Sequence, residues 1–281
     1  MRTGRWCCGS AYGTGAYGVS LYLCAMKIIP LSEGAFTIDK TKLFVPFDAA
    51  SDDLQQRPVG SLLVEIQPFS VVTTDDVIVI DTGLGFEKDG KLQIHANLEK
   101  AGIDPGKVTK VLLSHLHKDH AGGICPGGGA DAGAGDPKDG RMGGQMAFPN
   151  AHYFVQRREL EYAFEKGPTS YLTDELECLK TSPQVVFLDG DGVLDGYIRY
   201  RVTGAHCPWH QVFWIVDGGE TVFFGGDVAP QLQQMKSRFI AKYDYDGKRA
   251  MELRQEWWEQ GRKESWTFLF YHDVKVPVWP E

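Results

Sequence analysis

Four side chains of the kinds that bind metal ions fall within six residues of this chain: His115, His117, Asp119 and His120, in Ser114-His115-Leu116-His117-Lys118-Asp119-His120. Imidazole nitrogens and a carboxylate oxygen suit zinc, iron, manganese or cobalt. The run follows Val108 to Ser114, an apolar stretch with the composition of a buried strand. At a strand end alternate side chains share a face, so His115 and His117 point the same way, and the turn after them can carry Asp119 and His120 to a neighbouring centre. The pattern accommodates two adjacent metal ions. The blander reading is a surface loop that happens to be rich in histidine; against it stands the placement at a strand end, where the sites of α/β folds collect.

Holding those side chains requires a rigid scaffold. Val77-Ile78-Val79-Ile80 is apolar at every position, as a strand covered on both faces is, and it stops at Asp81-Thr82-Gly83-Leu84-Gly85, where the glycines force a turn. Strand composition recurs at Ala35 to Asp39, Ser61 to Gln67, Tyr153 to Val155, Val185 to Leu188, Tyr197 to Val202, Val212 to Val216 and Thr221 to Phe224. Helices are expected over Leu92 to Ala101, which stops at Gly102, over Arg157 to Lys166 and over Lys248 to Gln260. The expected architecture is two sheets with helices outside. Ala121 to Gly144 is glycine-rich, has neither strand nor helix period and lacks the Gly-Lys-Ser/Thr ending of a phosphate loop, so it reads as a long surface loop beside the cluster.

H-x-H-x-D-H after a buried strand, with an Asp-Thr-Gly strand end before it, resembles the signature of the metallo-β-lactamase superfamily. Further residues match in order: Thr203-Gly204-Ala205-His206, Phe224-Gly225-Gly226-Asp227, and Phe270-Tyr271-His272-Asp273. The resemblance implies an α/β fold, an αββα four-layer sandwich of two mixed sheets with helices outside. It also implies that His115, His117 and His206 hold one metal, that Asp119, His120 and His272 hold the other, and that Asp227 bridges them. Taken singly, His206 or His272 suits a core histidine as well as a ligand, and Asp227 a turn-capping aspartate. Asp81 matches a carboxylate that orients a ligand histidine, as metal-bound imidazoles require. His210 fits a packing role better than ligation.

The bulk numbers narrow the partners. The 281 residues, 43% hydrophobic and 12% aromatic, can fill a substantial core. With 37 acidic against 29 basic residues the formal net charge is -8, which offers no footprint for nucleic acid or an anionic membrane surface. No stretch approaches the roughly 18 apolar residues of a membrane span. The six cysteines show no regular framework and read as reduced thiols. Residues 1–25 read as an N-terminal extension that faintly imitates a signal peptide, and 26–281 as the catalytic domain. A cytoplasmic location is expected, with export by that extension as the alternative.

Two ions about 3.5–4 Å apart share a water and lower its pKa toward neutrality. The expectation is therefore a dinuclear hydrolase with two divalent ions, zinc first, in which a bridging hydroxide cleaves an ester or lactone of a small molecule. Asp119 and Asp227 are the catalytic carboxylates, Asp119 also serving to orient the hydroxide or pass a proton. The motif is similar to that of acyl-homoserine lactonases, organophosphate hydrolases and glyoxalase II enzymes, which keeps phosphotriesters and glutathione thioesters as alternatives; related lactonases imply a homodimer. The lactonases carry a tyrosine three residues after the bridging aspartate, where this chain has Pro230, leaving Tyr243, Tyr245 or Tyr271 as replacements. Trp209 is a candidate for an apolar pocket wall. From another class, a mononuclear iron sulfur dioxygenase would use a subset of the same ligands.

Overall fold

The computed structural model describes residues 26–126 and 145–280. The expected N-terminal extension, and residues 127–144 of the glycine-rich stretch, lie outside the described residues. Two six-stranded sheets form the centre. The first runs in the order Lys27–Pro30, Phe69–Val72, Val77–Ile80, Lys110–Leu112, His152–Gln156, Val185–Leu188. Its pairings are antiparallel up to Val77–Ile80 and parallel beyond. The second runs Gly192–Leu194, Ile198–Val202, Gln211–Asp217, Glu220–Phe224, Thr267–Leu269, Val278–Trp279. Only the pairing of Glu220–Phe224 with Thr267–Leu269 is parallel there.

The uniformly apolar strand Val77–Ile80 shows why this is a layered body. Ile78 and Ile80 enter the core between the sheets with Phe213, Ile215, Val222 and Phe224. Val79 faces the other way, onto Ile94 and Leu98 of the helix Gln93–Lys100 and Leu160 of the helix Arg157–Lys166. On the far side, Trp214, Phe223 and Phe268 pack against Ala250, Leu253 and Trp257 of the helix Gly247–Lys263. Each fully buried side chain of this size stabilises the fold by roughly 1.5–3 kcal/mol. The order is helix, sheet, sheet, helix, as expected.

The strand expected over Val108 to Ser114 keeps its ladder only at Lys110–Leu112. Beyond Leu112 other partners take the backbone: Asp81 N donates to Leu112 O, Leu113 N to Phe154 O, and Ser114 N to the Asp81 carboxylate. The chain thus leaves the sheet where the histidines begin. A third, small sheet, Phe44–Phe47, Gly34–Ile38 and Leu62–Ile66, flanks the site. Pro46 is tolerated in it because Phe44–Phe47 is an edge strand.

Two expectations need correction. The start of the glycine-rich stretch is not surface loop: Ala121 closes the short helix Lys118–Ala121, and Gly123, Ile124 and Cys125 are buried. A Cβ on Gly123 would lie 2.3 Å from Thr82 O, and one on Gly122 2.5 Å from Leu84 O, so glycine is what lets this turn lie on the turn after Ile80. The cysteines are not all reduced thiols. Cys125 and Cys178, 53 residues apart in sequence, form a disulfide, and Cys207 is the free thiol among the described residues. The partner was illegible because the fold, not the spacing, brings the helix Cys178–Thr181 to the turn after Gly123. Among the described residues no helix is long and apolar enough to cross a membrane.

Candidate metal centre

The site grows from one strained residue. Asp81 ends its strand at φ 55°, a left-handed conformation that costs a non-glycine residue about 1 kcal/mol or more. In return its fully buried carboxylate meets three groups. It accepts from Ser114 N and from Ser114 Oγ, both at 2.7 Å, and lies 2.8 Å from His120 Nδ1. Burial pushes the Asp81 carboxyl above the usual range, and His120 and Ser114 counter that. With Nδ1–H donated to Asp81, His120 presents Nε2 to the interior.

His206, His272 and His115 follow the same scheme, the outer nitrogen engaged and the inner one aimed inward. His206 Nδ1 meets Asp244 Oδ1 at 3.0 Å, His272 Nδ1 donates to Glu65 O at 2.7 Å, and His115 Nδ1 lies 3.0 Å from Ser114 Oγ. Inside, His117 Nδ1 sits 2.9 Å from His115 Nε2 and 3.1 Å from His206 Nε2. Burial first, then the neighbouring positive imidazoles, hold His115 and His117 well below the usual histidine range, so both are neutral. Neutral imidazole is the ligating form.

Asp227 stands between two groups. Its Oδ1 lies 3.0 Å from both His120 Nε2 and His272 Nε2, and its Oδ2 lies 3.2 Å from His206 Nε2. His272, His120 and His206 overcome burial and hold its carboxyl well below the usual range. For His120 and His272 burial opposes the charged form, but Asp227 and Asp119 prevail and raise both. Asp119 Oδ2 is 3.6 Å from His272 Nε2 and 3.8 Å from His120 Nε2.

A test of fit to cations comes from what these atoms lack. His120 Nε2 and Asp227 Oδ1 are buried and 3.0 Å apart, yet neither makes a hydrogen bond of acceptable geometry. Three ring nitrogens that converge within 3.1 Å, two of them on neutral rings, cannot all satisfy one another with protons. Divalent ions resolve both problems. The donors divide into His115, His117, His206 and Asp227 on one side and Asp119, His120 and His272 on the other, each group within 4.8 Å. All seven residues expected from the sequence converge here.

His210 stays outside both groups: it is buried, with Nδ1 3.2 Å from Thr203 Oγ1 and Nε2 accepting from Asp227 N at 3.2 Å. Gly226, at φ 48°, permits that contact, since a Cβ would lie 2.6 Å from His210 Nε2. Tyr271 is buried against the site, its ring stacked 4.0 Å from His120 and its hydroxyl donating to Asp119 O at 2.5 Å. Trp209 stacks with Arg158 instead of lining the pocket.

Sequence reasoning missed Asp244, Glu159 and Tyr171. Buried Glu159 accepts from Leu116 N at 3.1 Å and from Cys207 Sγ at 3.3 Å, bracing both histidine-bearing segments. Burial raises its carboxyl to about 7, against the pull of Leu116 N. The Tyr171 ring lies 4.8 Å from that of His117. No spacing signals these contacts; the acid in Tyr243-Asp244-Tyr245 was the one visible cue. A pocket of about 350 Å³ opens over His117 and His206, with Tyr243 on its wall, 6.2 Å from the His206 ring. A cavity of about 340 Å³ between Arg199, Arg201 and the helix Gly247–Lys263 touches none of these residues.

The family model of the metallo-beta-lactamase superfamily matches residues 64–126, a stretch that includes the histidine run. A probable metal-dependent hydrolase from Staphylococcus aureus superposes with a TM-score of 0.69 over 90% of this chain and 91% of that one, at 19% identity. The chain has the metallo-β-lactamase fold. The dizinc quorum-quenching lactonase AidC shares this fold, with a TM-score of 0.63, 19% identity and coverage of 90% of this chain and 89% of that one. In sequence, the N-acyl homoserine lactonase AttM of Azorhizobium caulinodans is 32% identical over 127 residues, 43% of this chain and 40% of the relative. An N-acyl homoserine lactonase of Bacillus thuringiensis is 24% identical over 63% of this chain and 61% of its own length. The matches in sequence thus span about two fifths to three fifths of these relatives. The fold expected from H-x-H-x-D-H is borne out, and the relatives that match part of the chain in sequence are lactonases.

Proposed function

We propose that this chain is a dinuclear metal-dependent hydrolase that cleaves an ester or lactone bond in a small molecule. One observation carries the reading: the two oxygens of Asp227 face different histidine groups, Oδ1 toward His120 and His272 and Oδ2 toward His206. His115, His117 and His206 would hold one divalent ion, Asp119, His120 and His272 the other, and Asp227 both, with zinc the first candidate. When bound, such a pair supplies an activated water as nucleophile and positive charge for a developing oxyanion.

The chain's own groups do the rest. Asp81, Asp244 and Glu65 O fix which nitrogen of His120, His206 and His272 faces inward. Asp119, with its backbone pinned by Tyr271, keeps a carboxylate at the edge of the cluster that can take up the proton released by the attacking water and pass it to the leaving alkoxide. Burial and the nearby Asp227 and Asp244 push the Tyr243 phenol up to about 12, so near neutral pH it remains a donor for a substrate oxygen, where Pro230 leaves no tyrosine. The N-acyl homoserine lactonases among its relatives support a lactone.

The test is metal content and turnover measured together. His117→Ala and Asp227→Ala are expected to lose bound metal and hydrolysis of aryl esters and aliphatic lactones in parallel. Full turnover by a metal-free variant would overturn the reading. Preferential turnover of an aryl phosphotriester or a glutathione thioester would move the substrate, and a single iron with thiol-dependent oxygen uptake would replace hydrolysis by sulfur oxidation.

A further inference from the structure

The pocket over His117 and His206 has an unusual lining for a site that would take a fatty acyl chain. Among the described residues, Tyr162, Tyr171, Tyr243 and Tyr245 supply its aromatic walls, Thr169 and Ser170 add hydroxyls, and no Leu, Ile, Val, Met or Phe takes part. Two lysines, Lys42 and Lys166, also line it. Its one carboxylate, Asp244, is buried and already engaged with His206 Nδ1. The pocket therefore holds cationic charge without a matching anion of its own.

Both lysines are placed, not merely nearby. Lys42 sits at φ 58° in a turn where Asp39 Oδ1 accepts from Thr41 N and Thr41 Oγ1, and Lys42 N donates to Asp39 O. Its carbonyl accepts from Lys118 Nζ at 2.6 Å, which ties this turn to the histidine run itself. Its own ammonium donates to Ser170 Oγ at 2.5 Å on the opposite wall and has no carboxylate partner among the described residues. A left-handed lysine is uncommon and persists only where the surroundings over-determine it. Lys166 ends the helix Arg157–Lys166 with its ammonium 5.0 Å from the centre of the Tyr162 ring, and its one ion pair among the described residues, to exposed Glu165, is 3.8 Å long.

We propose that Lys42 and Lys166 make this pocket a subsite for an anionic group, so that the preferred substrate is a compact ester or lactone that carries a carboxylate or another anionic oxygen group. The inference rests on the hydrolase reading for the bond cleaved, but the subsite itself is a matter of binding. A volume of about 350 Å³ suits a small substituent of that kind. Two exposed ammonium groups together favour an anion by about tenfold at low ionic strength, and salt screens the advantage.

Benzenesulfonate, an inert anion that ligates metals poorly, is the probe, with neutral methyl phenyl sulfone of similar shape as its control. Titration of the protein as purified, followed by NMR or calorimetry, is expected to show about tenfold tighter binding of the sulfonate, weakened by salt and lost in the Lys42→Met/Lys166→Met double variant. In the same variant the ratio of kcat/KM for mono-4-nitrophenyl succinate over 4-nitrophenyl acetate should fall about tenfold, through KM. Equal binding of the two probes, or a sulfonate preference that survives the double substitution, overturns the subsite. The two readings fail separately. A sulfonate preference without any hydrolysis sinks the hydrolase and supports the subsite; hydrolysis with an unmoved ratio does the reverse.

Discussion

The two halves of the candidate centre are built in opposite ways. The first sheet delivers His115, His117, Asp119 and His120 from one continuous run, braced at its base by the buried carboxylate of Asp81. The second sheet delivers His206, Asp227 and His272 from three separate strand ends, each with its own support: Asp244, His210 and Glu65 O. A contiguous half concentrates its dependence on one residue, whereas a dispersed half spreads it. Removing a support should therefore cost far more in the first half than in the second.

The largest effect is expected at Asp81. Asp81→Ala leaves Ser114 N and His120 Nδ1 without their buried acceptor, and about 3–5 kcal/mol of stability should go with it, read from urea unfolding. Asp244→Ala should cost less stability and show itself instead as about 10- to 100-fold weaker metal binding. Equal losses of stability at the two positions would break the comparison. Next comes the disulfide, which fastens the turn after His120 to the helix Cys178–Thr181. Closing 53 residues, it should contribute about 2–4 kcal/mol, so Cys125→Ser is expected to lower the unfolding free energy by that amount, and the denaturation midpoint with it, under non-reducing conditions. An unchanged midpoint would show that the first half needs no such anchor.

A smaller, pH-dependent effect belongs to Glu159, which touches both halves. Its carboxyl is raised from 4.5 to about 7 by burial, so folding favours the protonated form. That contribution is complete below pH 4.5 and is lost as pH rises through about 7. Glu33, raised to about 7 as well, adds to the same slope. Between about pH 4.5 and 7 these two carboxyls should make stability decline, and Glu159→Gln should flatten that part of the slope; an unaltered slope would contradict the assignment. The smallest effect is Gly226→Ala, about 1–3 kcal/mol, because φ 48° and the approach of His210 both resist a Cβ.

The same contrast explains what could be read in advance. The contiguous half was legible from spacing alone, since strand alternation places His115 and His117 and the apolar run Val77–Ile80 implies cover on both faces. The dispersed half became legible only through a resemblance, because nothing local to His206 or His272 separates a ligand from a core histidine. The supports were mostly invisible. Glu159 reaches Leu116 across 43 residues and Asp244 reaches His206 across 38, and contacts of that range are set by packing, not by period. The cysteine pair failed for the same reason. A short strand such as Phe69–Val72 carries too few residues to show alternation, and the ladder ends early at Leu112 because Asp81 claims the backbone.

Metal analysis of the purified chain beside its Asp227→Ala variant tests the central claim most directly. A carboxylate shared between two histidine groups predicts about two divalent ions per chain and a loss of metal from both groups, with ester and lactone turnover, when that carboxylate is removed. A wild-type chain that binds one ion, or a variant that keeps both ions and full turnover, would contradict it.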